Sequence, residues 1–181
     1  MLGQINLPAR RPLLLACAAL PVAYVISGAL GLLLAVPPGY ATAIFPPAGI
    51  AAAAMFMAGA VTLPWIFVGS FLLNLWVGYS IATRLGQTAI AVSFVIALAS
   101  MLQAAIGGAT LRRAVDYPAT LDNERDILRF LLLSPVFCLT SATLSLSGMW
   151  ALGAVQIPDL LASWVTWWIG DTLGVLVVLP N

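Results

Sequence analysis

Long apolar stretches alternate with short polar breaks along almost the whole chain. A helix needs about 20 apolar residues to cross the hydrocarbon core of a bilayer, and six stretches approach that length. They cover residues 13–36, 43–60, 63–79, 86–111, 127–152 and 160–179. The pattern predicts an all-α integral membrane protein, a compact bundle of about six transmembrane helices forming a single domain over residues 1–181.

The second stretch is the least regular of the six. It is short, it opens with Pro46 and Pro47, and only the uncharged residues 59–62 join it to the third stretch. We expect either a tight helical hairpin or a partly re-entrant segment here. Irregular backbone at membrane depth is tolerated only where it is buried in protein or lines a water-filled cavity. The turn at residues 37–40 closes the first stretch, and Pro180 stops the last.

Composition narrows the class of protein further. Hydrophobic residues make up 62% of the chain, charged residues only 7%, and the mean hydropathy is +1.08, whereas a soluble domain is about 25% charged. The net charge of only +1 argues against a basic surface that binds nucleic acid. The chain contains no His, which is the commonest metal ligand and the commonest general base in enzymes. Cys17 and Cys138 lie in apolar runs and are expected to be small hydrophobes. We expect no metal, no cofactor and no catalytic set within these residues.

The arginines predict the orientation in the membrane, because loops on the cytoplasmic side are rich in basic residues. With both termini in the cytoplasm, six of the seven lie inside and only Arg84 outside; the six are Arg10, Arg11, Arg112, Arg113, Arg125 and Arg129. A twin-arginine signal at the start is the alternative, but the apolar run after it is longer than such signals have. Asp122 is a candidate N-cap for the fifth helix.

Asp171 is the one charged residue that falls well inside a predicted span. A carboxylate there costs roughly 2.5–3.5 kcal/mol on insertion scales, so it should face the bundle interior. Trp164, Trp167 and Trp168 share its helical face. The cluster predicts either a cage for a cation or a flat ring, or an aromatic belt at the membrane interface.

Two side-chain amides are the other polar groups whose burial in the membrane costs free energy. Asn74 lies in the third stretch and Gln103 in the fourth. Each either holds neighbouring helices together or lines a polar pocket with Asp171. The fifth stretch carries six hydroxyls, which either bond their own backbone or line a pocket; they are Ser134, Thr140, Ser141, Thr143, Ser145 and Ser147.

Two motifs and their order resemble a known family. The first is the aromatic–proline–proline–x–glycine stretch at residues 45–50, FPPAGI, which contains Gly49 and is followed by GSF at 69–71 and NL at 74–75. The second, more specific one is WVTWWIGDTLGVL at residues 164–176, which contains Gly170. Together with Gln103-Ala104 and Arg112-Arg113 between them, these stretches are similar to the first type of membrane-associated sensor domain (MASE), over nearly the whole chain.

The resemblance implies a sensory input domain of the bacterial inner membrane. Such domains usually precede a cytoplasmic output domain, a histidine kinase or diguanylate cyclase, often through a PAS domain. It implies that a small molecule or a membrane partner protein is detected, and that the chain itself is not an enzyme, any catalytic output domain being C-terminal to it. The candidate ligand-binding or signalling residues are Asp171, Trp167, Trp168, Trp164, Gly170, Asn74, Gln103, Pro46, Pro47 and Gly49. Phe45 departs from the family, which more often has tryptophan there.

Two other functions fit the same pattern. One is a substrate-binding subunit of an energy-coupling-factor vitamin transporter, whose helix count and short loops are similar. The other is a purely structural anchor that tethers an output domain and forms a homodimer. Neither the ligand nor the identity of the output domain follows from these residues.

Overall fold

The computed structural model describes residues 7–33, 35–36, 41–82, 86–115 and 123–179. Within them the chain forms six α-helices and one two-stranded hairpin. The helices are α1 (Leu7–Leu32), α2 (Pro46–Ala58), α3 (Leu63–Ala82), α4 (Gln87–Ala114), α5 (Glu124–Ala151) and α6 (Ile157–Val178). The strands β1 (Ala35–Val36) and β2 (Ala41–Thr42) pair antiparallel between α1 and α2. The all-α class is therefore confirmed, with this short hairpin as an addition.

The prediction of six separate spans is wrong. Four helical stretches of the described residues are long and apolar enough to cross a membrane: Pro46–Ser80, Gln87–Ala114, Glu124–Ala151 and Ile157–Val178; the described apolar part of α1, Ala18–Leu32, is shorter. With this shorter helix the described residues hold five apolar helical stretches and not six, because the predicted second and third spans form one helical stretch of 35 residues. A 3-10 turn, Gly59–Thr62, joins them.

This joint nevertheless reverses the chain. Met55 of α2 packs against Gly108 of α4, and Gly59 lies beside Arg112, so α2 runs in the same direction as α4. Gly78 of α3 faces Ala89 of α4, so α3 runs in the opposite direction. The φ of Gly59 is 78°, a conformation that glycine adopts readily. The stretch is therefore a pair of helices that run in opposite directions.

Helix α2 is only about two-thirds as long as the hydrocarbon core is thick. Its 13 residues rise about 20 Å at about 1.5 Å per residue, against a hydrocarbon core of about 30 Å. Phe45, just before it, has φ −120° and ψ 84°, so extended backbone leads into the helix. Pro46 and Pro47 occupy its first positions, where a missing N–H costs nothing. This is the local irregularity that the two prolines predicted.

One end of the bundle carries the described arginines, and we call it the arginine end. Arg112 donates to the carbonyl oxygens of Phe56 and, over 2.9 Å, of Met57, capping the end of α2. Arg129 donates to the carbonyl oxygen of Ala114 over 2.9 Å and ties the start of α5 to the end of α4. We call the opposite end, where α3 and α5 finish and α4 and α6 begin, the far end.

Some predicted boundary features lie outside the described residues. These are the turn at 37–40, Arg84, Asp122 and Pro180. The residue that caps α5 is Asn123, whose side-chain oxygen accepts a hydrogen bond from the backbone N–H of Arg125 over 3.1 Å. Asparagine supplies the same capping oxygen as aspartate.

Several polar residues lie inside the bundle within its apolar core, and large apolar residues cover its outside. Asp171, Gln103 and Ser141 are buried, whereas Leu132 and Leu161 are largely exposed. A surface of large aliphatic side chains suits lipid, and some interior polar groups hydrogen-bond between helices, as Gln103 does with the backbone of Ser141. The arrangement supports the predicted integral membrane protein.

Candidate functional site

A cavity of about 290 Å³ extends through the far half of the bundle to Asp171. Its described lining comes from every helix except α2, from the residues around the hairpin and from the turn before α6: Tyr24, Leu32, Thr42, Phe45, Ser70, Leu73, Asn74, Val77, Gly78, Thr88, Ala89, Val92, Ser93, Ile96, Ser100, Met149, Ala154, Trp167 and Asp171. Most of this surface is apolar, and the polar atoms gather near the middle of the bundle. A mostly apolar pocket with a few convergent polar groups is the usual form of a small-molecule site.

Asp171 lies at the inner end of the cavity. It is only 3% exposed, and its side chain hydrogen-bonds with the side chains of Gln103 on α4 and Ser141 on α5. The Gln103 carbonyl oxygen accepts from the backbone N–H of Ser141 over 3.3 Å. Its NH₂ group is therefore the part that can donate to the carboxylate. Three helices thus meet at one buried carboxyl group.

The three tryptophans on the face of α6 have different partners. The Trp167 indole N–H donates to the Ser141 hydroxyl over 3.2 Å, and its ring lines the cavity. Trp164 donates to the Thr143 hydroxyl over 3.2 Å, and Trp168 to the carbonyl oxygen of Pro135 over 2.8 Å. The rings of Trp164 and Trp168 stack at a centroid distance of 5.9 Å. Only Trp167 lies beside the cavity, while the other two join α6 to α5.

A second polar cluster lines the cavity from α1, α3 and α4. The Asn74 amide N–H donates to the Ser70 carbonyl oxygen over 2.8 Å, and the Ser70 hydroxyl donates to the Ser100 hydroxyl over 3.2 Å. The Tyr24 hydroxyl hydrogen-bonds with both serines, and its ring meets that of Phe45 edge to face. Asn74 therefore shares the cavity with Asp171 but belongs to a separate hydrogen-bonded group.

The remaining motif residues form a close contact between α2 and α6, which we call the α2–α6 seam. It consists of Thr42, Phe45, Pro46, Gly49, Gly170 and Gly174. A Cβ added at Gly170 would collide with the Thr42 carbonyl, one at Gly174 with the Phe45 carbonyl, and one at Gly49 with the Gly174 carbonyl. Small residues four apart let membrane helices approach this closely. Pro47 packs behind the seam, near Gly28 of α1.

The structure thus divides the predicted site residues into three groups. Asp171, Trp167 and Asn74 line the cavity. Gln103 does not line it but hydrogen-bonds with the side chain of Asp171. Pro46, Pro47, Gly49 and Gly170 belong to helix packing around the seam, and Trp164 and Trp168 to the α5–α6 contact. Whether each group binds or signals stays a prediction.

Sequence reasoning missed several polar or aromatic residues of the cavity, among them Tyr24, Thr42 and Ser100. Tyr24 and Ser100 escaped notice because they lie in apolar runs, although the phenol of a buried tyrosine needs a partner. Thr42 lies in β2, which was not predicted. Among the hydroxyls of α5, Ser141 reaches Asp171 and Trp167, whereas Ser134 bonds back to the Phe130 carbonyl oxygen over 2.7 Å.

The comparisons with known proteins name one family. The model of the MASE1 family matches residues 14–181, nearly the whole chain. No curated protein matches the chain. No solved structure matches it either. The family match, the apolar helical bundle and the interior polar groups agree, and the chain belongs to MASE1, a family of membrane sensory domains of signalling proteins.

Proposed function

We propose that this chain is the input domain of a bacterial inner-membrane signalling protein, in which a small molecule in the cavity regulates a cytoplasmic output domain of the diguanylate cyclase or histidine kinase type. The arginine end faces the cytoplasm in this proposal, following the basic residues. The cavity then approaches the outer face of the membrane. The comparisons give no support to the transporter alternative.

The observation that carries the proposal is the position of the cavity against the α2–α6 seam. Thr42 and Phe45 on one side of the seam and Asp171 on the other all line the cavity. A ligand that touches both sides has a different affinity for a closed and a loosened seam. Such a difference is what allows a ligand to shift a protein between two arrangements.

Helix α6 supplies a route from this point to the arginine end. Asp171 lies past its middle, and Gly174 and Val178 follow on the face that packs against α2. A small shift of α6 relative to α2 at Gly170 therefore changes the packing down to the last turn. An output domain that continues from α6 would receive that change.

A cavity-filling substitution tests the proposal. In the natural signalling protein that carries this domain, Val77→Phe places a ring in the cavity, while Leu72→Phe changes an exposed, lipid-facing position of the same helix. We expect Val77→Phe to abolish the variation of output between growth conditions and Leu72→Phe to preserve it. Unchanged regulation in a stably folded Val77→Phe protein would contradict the proposal.

A further inference from the structure

We infer that the cavity binds a small organic cation, with the positive charge against Asp171 and the apolar part against the walls. This inference rests on the proposed function in taking the cavity as the input site, and it names the chemical class of the ligand. Four features support it: the charges around Asp171, the aromatic side chains of the lining, the lack of a set of metal-coordinating side chains in the described residues, and the size and direction of the cavity.

The first feature is that, among the described residues, no positively charged side chain lines the cavity with the Asp171 carboxyl group. The described lining of the cavity contains one acidic side chain, Asp171, and no arginine. Its hydrogen-bond partners Gln103 and Ser141 are uncharged. The described ion pair, Arg129 with Asp126, lies at the arginine end. Ionisable groups inside membrane proteins usually pair with one another, so a cationic ligand would supply the charge that the described neighbours do not.

The second feature is aromatic. Trp167, Tyr24 and Phe45 all line the same cavity as Asp171. An ammonium group within about 6 Å of such a ring centre is attracted by the ring, by up to about 2 kcal/mol when water is excluded. A carboxylate in a cavity that several aromatic rings also line is the combination that suits an alkylated ammonium group.

The third feature argues against a metal ion. Calcium takes 6–8 oxygen ligands and magnesium keeps a strict octahedron. In the described residues no group of three His, Cys, Asp or Glu side chains could hold a metal. Much of the wall is apolar, with Leu73, Ile96 and Met149 among its residues. Such a wall suits hydrocarbon and not the water shell of an inorganic cation.

The size and direction of the cavity bound the ligand. A volume of about 290 Å³ corresponds to about ten water molecules at about 30 Å³ each, so a cation with roughly ten non-hydrogen atoms fits. Thr88, Ala89 and Ala154 line the cavity near the far end. The cation would therefore enter from that end and not from the arginine end.

Equilibrium dialysis against the full 181-residue chain in lipid nanodiscs tests the inference, with empty nanodiscs subtracted. The probes are tetramethylammonium, choline and phenyltrimethylammonium. The neutral counterpart is the carbon isostere of choline, in which a tert-butyl group replaces trimethylammonium. We expect saturable binding of at least one cation, and at least about tenfold weaker binding of the neutral isostere than of choline. This comparison uses the unchanged chain and depends on no variant.

Two variants locate the site. Asp171→Asn keeps the shape of the side chain and should weaken cation binding at least about tenfold, whereas Asp159→Asn removes a charge near the start of the same helix, outside the cavity lining, and should leave binding unchanged. Trp167→Leu should also weaken cation binding, and it provides a second test if Asp171→Asn does not fold.

Three results would overturn the inference: no saturable binding of any of the three cations, equal binding of choline and its neutral isostere, or undiminished cation binding by folded Asp171→Asn. If any of these occurred while Val77→Phe still abolished regulated output, the cation class would be wrong and the sensory role of the cavity would stand. Lost cation selectivity and lost regulation are thus separate results.

Discussion

The backbone N–H of Phe45 donates a hydrogen bond to the carbonyl oxygen of Gly170, with 2.9 Å between the two atoms. Phe45 lines the cavity, and Gly170 directly precedes Asp171, which lines it from α6. At the same position the backbone of Thr42 leaves no room for a side chain on Gly170. One hydrogen bond therefore joins the wall of the cavity to a close helix contact that leads toward the arginine end.

The first prediction concerns the α2–α6 seam. Gly174→Ala places a methyl group against the Phe45 carbonyl, so the helices must separate, and overpacking of this kind costs about 1–3 kcal/mol. We expect a lower free energy of unfolding in detergent titrations. Gly86→Ala is the matched control, because nothing lies within 4 Å of the added carbon there. Equal stability of the two variants would show that the seam is not tightly packed.

The second prediction concerns the support of Asp171. Gln103→Leu removes an amide that hydrogen-bonds with the Asp171 side chain and accepts from the Ser141 backbone. Polar contacts between membrane helices are worth about 0.6 kcal/mol on average and at most about 1.7, so we expect a destabilisation of about 1 kcal/mol. Gln87→Leu, at an exposed position of the same helix, should change stability little. The readout is again the free energy of unfolding, and no difference between the variants would contradict the network.

Much of the fold was predictable because membrane helices must be long and apolar. The stretches at 63–79, 86–111, 127–152 and 160–179 lie within or almost within α3, α4, α5 and α6, differing by a few residues at their ends. The predicted stretch at 43–60 covers α2 but begins three residues early, because hydropathy does not distinguish the extended backbone before Pro46 from helix. The count of six separate spans failed because the second and third predicted spans are joined through the 3-10 turn Gly59–Thr62 into one helical stretch.

The candidate site was only partly predictable. Asp171 was identified because a charge within a span has a high desolvation cost, and that argument applies to any single sequence. The partners of the three tryptophans were not predictable, since a shared helical face does not decide which neighbour each indole reaches. Trp164 and Trp168 turn to α5, while Trp167 alone meets the cavity. Tyr24 and Ser100 carry no comparable signal, and only the packing of α1 against α3 and α4 brings them together.

The third prediction concerns the end of α2. Arg112→Ala removes a guanidinium that bonds the carbonyl oxygens of Phe56 and Met57. These carbonyl oxygens lie near the end of the helix, where no following turn supplies a backbone N–H to donate a hydrogen bond to them. We expect a loss of about 1 kcal/mol and faster amide exchange at residues 59–62. Arg113→Ala, at the exposed neighbouring position, should leave the exchange of those amides unchanged; equal exchange in both variants would contradict the capping role.

The fourth prediction concerns orientation. In a chain whose Cys17 and Cys138 are replaced by alanine, Ala154→Cys at the far end should react with an impermeant maleimide applied to intact cells. Arg113→Cys at the arginine end should react only after the membrane is permeabilised, because arginine-rich ends stay in the cytoplasm. The opposite labelling pattern would reverse the orientation and place the cavity toward the cytoplasm.

The central claim is that Asp171 belongs to the input site of a signalling protein, and it is tested most directly by comparing the output of two variants of the natural full-length protein. Asp171→Asn removes the buried charge at the inner end of the cavity, and Asp159→Asn removes a charge near the start of the same helix. Output is measured across growth conditions at matched membrane abundance. We predict that Asp171→Asn fixes the output at one level while Asp159→Asn stays regulated; a folded Asp171→Asn protein with normal regulation would contradict the claim.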